Sequence, residues 1–170
     1  MKENLKGVNE LTSIINDFLA EFDAIAEMGC DNAYYLSESK IVYSVCMPSN
    51  GKDYFMQNFH KLAPDLECDA FLATILHELG HHETLHMFDE YDEAYCHDYK
   101  EMLGERLEHQ NLTPEIEEDI YQQYFDLPDE YEATMWAINY IRNNVAKIEA
   151  FWYKLKAAVL KFYKLNGVEV

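Results

Sequence analysis

The sequence predicts an α+β protein that is mostly helical, with one small β-hairpin or sheet. Three observations carry this. A stripe of apolar residues at helical spacing opens the chain. A short segment rich in β-branched and aromatic residues follows it. Everything after about residue 52 reads as successive helices with recognisable start and stop signals.

The opening stripe runs Leu5, Val8, Leu11, Ile14, Ile15, Phe18, Leu19, Phe22 and Ile25. Its steps of three and four predict an amphipathic helix over residues 5–28, ended by Gly29. Ala33-Tyr34-Tyr35-Leu36, a turn at Ser37-Glu38-Ser39-Lys40, and Ile41-Val42-Tyr43-Ser44-Val45-Cys46 predict the hairpin. Pro48-Ser49-Asn50-Gly51 reads as a loop, and residues 52–62 as a short helix stopped before Pro64. Polar residues from Asp65 to Asp69 start the next helix, which runs to about His86. Residues 88–109 are acidic and tyrosine-rich and read as one helix with a break near Gly104. Thr113-Pro114-Glu115 combines an N-cap, a first-turn proline and a first-turn acid, and that helix ends near Asp126-Leu127-Pro128. A helix from Pro128 carries Tyr131, Met135, Ile138 and Ile141. Asn143-Asn144 ends it, and a last helix spans Ile148 to Leu165. No repeat or linker interrupts the 170 residues, so the expectation is a single domain over 1–170.

Composition excludes several classes of function. Hydrophobic residues make up 49% of the chain, which suits a folded core. No apolar stretch approaches 18 residues and the first residues lack the apolar block of a secretory signal, so the expectation is a cytoplasmic protein with no membrane partner. The net charge of −19 argues against nucleic acid as a partner, because phosphate repels such a surface. Cysteines at 30, 46, 68 and 96 form no C-x-x-C pair and read as free, buried thiols.

The chemistry is carried by His77-Glu78-Leu79-Gly80-His81, an H-E-x-x-H motif. Residues four apart share one helix face, so both imidazoles can aim at one metal ion. Glu78 stands at the edge of that face, where it can act on bound water as a general base. The flanking Phe71, Leu72, Ile75, Leu76 and Leu79 place the motif on a core helix, where two histidines and a glutamate need a partner. Gly80 inside a helix predicts a close packing contact.

A catalytic Zn2+ takes three protein ligands and keeps one position open. His82 lies about 100° round the helix from His81 and cannot share the ion. His86 is one further turn along. Position 87 is Met87, so a third histidine at the metzincin spacing is absent. His97, His109 and several acids remain, Glu130 and its rival Glu132 next to Ala133 among them. Tyr131 and His97 are candidates to stabilise the oxyanion, among 13 tyrosines that the sequence does not distinguish.

Glu130-x-x-Ala133-Thr134-x-Trp136-Ala137 resembles the second motif of gluzincins, E-x-x-S/A-D. It is also similar to that of the ImmA/IrrE-type metallopeptidases, in which E-x-x-A-N/D-x-F-A follows HELGH. His77-Glu78-Leu79-Gly80-His81, with Leu85-His86 behind it, matches the first motif of that family. The resemblance covers the two motif helices and the order helix, hairpin, motif helix, motif helix. It implies a zincin-like fold with the hairpin beside the HExxH helix, His77, His81 and Glu130 as zinc ligands, Glu78 as catalytic base, and a peptide or protein substrate, often a regulator. Two features depart from it. Thr134 stands where the family has Asn or Asp, and the two motifs are further apart, so residues 88–126 read as an acidic insertion. These departures keep one alternative in view, a catalytically weak zinc-binding regulator or interaction protein on the same fold; the net charge of −19 alone keeps another, an acidic inhibitor that mimics DNA.

Overall fold

The computed structural model describes residues 5–30, 32–45, 49–109 and 111–167. They form seven α-helices, a three-stranded sheet and short 3-10 turns, so the chain is α+β and mostly helical. No helix among the described residues is long and apolar enough to cross a membrane. The chain divides into two compact units, residues 1–46 with 140–170, and residues 47–139.

The first unit holds α1 (Val8–Leu19), β1 (Ile25–Met28), β2 (Ala33–Tyr35), β3 (Lys40–Tyr43) and α7 (Val145–Asn166). α1 buries Leu11, Ile15, Phe18 and Leu19, the core half of the predicted stripe. The helix ends nine residues before the predicted stop at Met28. A 3-10 turn follows, and Asp23 in a left-handed conformation (φ 54°) redirects the chain into β1. Ile25, counted as part of the helical stripe, lies on the strand and is 53% exposed. Strand pairing explains the change: β1 runs parallel to β3, and the Asn16 carboxamide oxygen accepts the Ala26 N–H at 2.6 Å. β2 pairs antiparallel with β3, as the hairpin reading requires, so the sheet order is β1-β3-β2. α7 packs on α1, with Phe151 stacked on Phe18 at a centroid distance of 4.1 Å.

The second unit holds α2 (Ser49–Leu62), α3 (Ala70–Thr84), α4 (Glu90–His109), α5 (Pro114–Phe125) and most of α6 (Pro128–Asn143). α2 begins at Ser49, so Ser49 to Gly51 form helix where a loop was expected; Pro48 and Cys46 lie outside the described residues. Asp69 caps α3 by accepting the Phe71 N–H at 2.8 Å, and Thr113 caps α5 with Pro114 in its first turn. α3 yields to a 3-10 turn at Leu85–Met87, which carries His86. α4 passes through Gly104 without the expected break. α5 packs against both α2 and α4.

The described cysteines are free, as expected, but only Cys96 is buried; Cys68 is half-buried and Cys30 exposed.

Candidate metal centre

α3 is buried along almost its whole length, and its motif residues His77 and Glu78 are 5% and 8% exposed. His77 and His81, one turn apart, bring their Nε2 atoms to 3.2 Å. Glu130, in the first turn of α6 and 2% exposed, meets them: its Oε2 is 3.1 Å from His77 Nε2 and its Oε1 is 3.5 Å from His81 Nε2.

The close approach of the two helices depends on Gly80. A Cβ at that position would lie 2.3 Å from the Ala133 carbonyl oxygen, so only glycine lets α6 come near enough to present Glu130. Both halves of the arrangement are thus local in sequence. A glycine sits in the motif helix, and a small residue, Ala133, sits three positions after Glu130.

Thr134 sets the tautomer of His77. Its Oγ1 donates to the Glu130 carbonyl at 2.9 Å, which uses its one proton. Toward His77 Nδ1, 3.0 Å away, the hydroxyl can then only accept, so Nδ1 carries a hydrogen and Nε2 is the atom left to face Glu130. A buried hydroxyl thus fixes the orientation of the His77 ring.

Two ring nitrogens and a carboxylate converge on one place. A tetrahedral ion with ligand bonds of about 2.0–2.1 Å has its ligand atoms about 3.3–3.4 Å apart. The observed separations of 3.1 Å (His77 to Glu130 Oε2), 3.2 Å (between the histidines) and 3.5 Å (His81 to Glu130 Oε1) lie around that edge. His77, His81 and Glu130 therefore form a group that could hold a metal ion.

Glu78 adjoins this group. Burial, the largest influence, pushes its carboxyl up to about 7; Glu130 adds to the rise, while His77 and Lys100 oppose it. Burial also raises Glu130, but His81 and His77 outweigh it and hold that carboxyl well below its ordinary value. The two carboxyls are thus separated in acidity by their surroundings, one near neutrality and one firmly ionised.

Two residues unremarked in the sequence complete the surroundings. Lys100, from α4, places its Nζ 2.5 Å from Glu130 Oε1 and 2.6 Å from Asp129 Oδ2. Tyr124, from α5, is half-buried with its phenol against Glu130, and burial followed by the charges of Glu130 and Glu78 pushes it well above its ordinary value. The Phe55 ring closes the other side, 5.2 Å from the His77 ring and edge-on to it.

The other sequence candidates lie elsewhere. Glu132 is not in the converging group, and His86 is on the turn beyond α3. His97 and His109 are on α4 with side chains 70% and 76% exposed, His97 beside Asp98 and Glu101 in a separate, fully exposed cluster. Tyr131 is 40% exposed. No protein family, curated protein or solved structure matches this chain.

Proposed function

We propose that this chain is a zinc-dependent metallopeptidase of the gluzincin or ImmA/IrrE type, acting on a peptide or protein substrate. The observation that carries the reading is the meeting of His77, His81 and Glu130 at tetrahedral-edge distances with Glu78 beside them. Two imidazoles and one carboxylate suit zinc among the divalent ions. When bound, zinc lowers the pKa of a water and polarises a carbonyl. Glu78, raised to about 7, is matched to take a proton from that water at neutral pH and hand it to the leaving amine. Thr134 keeps His77 in the ligating tautomer. Tyr124 takes the place foreseen for Tyr131 or His97, as the phenol within reach of the reacting groups.

The zincin-like fold and a regulator as substrate rest on the motif resemblance, which Thr134 joins by function though not by residue type. A second reading, a zinc-binding regulator with little turnover, draws support from the near-complete burial of Glu78 and Glu130.

The test is digestion of a proteome-derived peptide library read by mass spectrometry. Zinc-loaded protein cleaves it, and Glu78→Gln retains zinc but loses at least about 100-fold in rate. Folded, zinc-loaded protein that cuts nothing sinks the peptidase reading and leaves the regulator. Equal cleavage by Glu78→Gln removes Glu78 as the base.

A further inference from the structure

The segment read from sequence as an acidic insertion supplies a cation to the ligand carboxylate. Lys100 is one of the 13 basic residues in a chain of net charge −19, yet its ammonium is not spent on the acidic surface. It sits between Asp129 Oδ2 and Glu130 Oε1, over the Tyr124 ring at 5.3 Å from the centroid. Its Glu130 partner has a side chain only 3% exposed. An exposed ion pair is worth little, but a short charge-assisted bond to a buried carboxylate fixes where each oxygen points.

The two oxygens of Glu130 are consequently unequal. Oε1 takes the short bond from Lys100 and lies 3.5 Å from His81 Nε2, whereas Oε2, which Lys100 does not hold, faces His77 Nε2 at 3.1 Å. A carboxylate free at both oxygens can chelate an ion through both and fill a fourth position. A carboxylate with one oxygen in a short bond to an ammonium offers the other as its stronger donor to a metal.

We infer that Lys100 is a positioning residue for the metal centre: by occupying Oε1 it makes Glu130 a one-oxygen ligand and keeps a coordination position open for water. This rests on the metal reading above and adds to it the role of α4. Asp129 is the second half of the device, since it holds the ammonium from the opposite side. The lysine also places a positive charge beside the ion's site. It therefore works against tight metal binding while preserving the open position, a combination that a residue needed only for folding would not produce.

The experiment compares wild type with Lys100→Met and Lys100→Arg in the full chain. It measures zinc affinity by competition with a chromophoric chelator, and the visible absorption of the cobalt-loaded protein. In Lys100→Met, zinc should bind at least about threefold tighter, because a like charge is removed. The strong four-coordinate cobalt band should give way to the weaker band of a higher coordination number. Lys100→Arg should keep the wild-type band. If Lys100→Met does not fold, Lys100→Gln, which keeps an N–H donor without the charge, should show tighter zinc with the wild-type band. Unchanged affinity and spectrum in the folded neutral variant overturn the inference, as does zinc loss as complete as that of His77→Ala. Wild-type protein that binds neither zinc nor cobalt overturns the metal reading itself, and that result needs no variant to recognise.

Discussion

Gly80 and Ala133 are in contact through backbone alone: a methyl group on Gly80 would fall 2.3 Å from the Ala133 carbonyl oxygen and 2.9 Å from its Cα. The contact sets the spacing between the helix that bears two imidazoles and the helix that bears the carboxylate. Gly80→Ala should destabilise the protein by about 1–3 kcal/mol, the cost of overpacking against a backbone that cannot step aside. It should also weaken zinc binding by moving Glu130 away from His77. Thermal denaturation and metal competition measure the two effects. A variant as stable as wild type would mean that α6 slides freely and that the spacing is not set here.

The ligand set predicts an order of metal loss. Elemental analysis of protein purified without added metal should find close to one zinc per chain, and His77→Ala or His81→Ala should lose it. Glu130→Gln should weaken zinc more than Glu132→Gln, since only Glu130 belongs to the converging group. The reverse order would move the third ligand one position along the chain from Ala133.

Thr134 offers a subtler test. Thr134→Val keeps the shape but removes the acceptor for His77 Nδ1–H, leaving a buried donor unpaired. Zinc affinity should fall by about 10- to 100-fold, the usual consequence of losing such an outer partner, and Thr134→Ser should restore most of it. Equal affinity in Thr134→Val would show that the histidine is oriented by α3 alone.

The cysteines separate by environment. Burial, with a smaller push from Asp69, raises the Cys68 thiol to about 12. At pH 8 only about one in ten thousand Cys68 side chains would then be thiolate, the reactive form. Among the described cysteines, brief treatment with iodoacetamide should modify exposed Cys30 first and leave Cys68 and buried Cys96 largely intact. Peptide mapping by mass spectrometry reads this directly. Cys68 labelled as fast as Cys30 would show that its surroundings open in solution.

What could be read in advance follows the range of the interactions. His77, Glu78 and His81 are related by one helical turn, and Glu130 by a register with Ala133 that spans three residues, so the sequence carries both. The caps Asp69 and Thr113 are equally local. Lys100 and Tyr124 were not legible, because a lysine on an acidic helix and one tyrosine among 13 have no local mark. Their roles arise from packing between residues 30 and 24 positions apart in the chain, as the Lys100–Glu130 bond and the seat of Lys100 over the Tyr124 ring illustrate. The early end of α1 has the same origin: Ile25 satisfies the helical period, but backbone pairing with Lys40 on β3 prevails over it.

His77 and Glu130 are 53 residues apart in the chain, and α4 and α5 lie wholly between them. An ion gripped at both ends would act as a removable cross-link, tying off that length of polypeptide in a loop. It would bind the folded chain and not the unfolded one, so each rise in free ion would favour the closed loop, by about 4 kcal/mol at a thousandfold excess over the dissociation constant. The melting temperature of this protein would then register the supply of metal around it, and two helices that contribute no ligand would hold or lose their order with that supply.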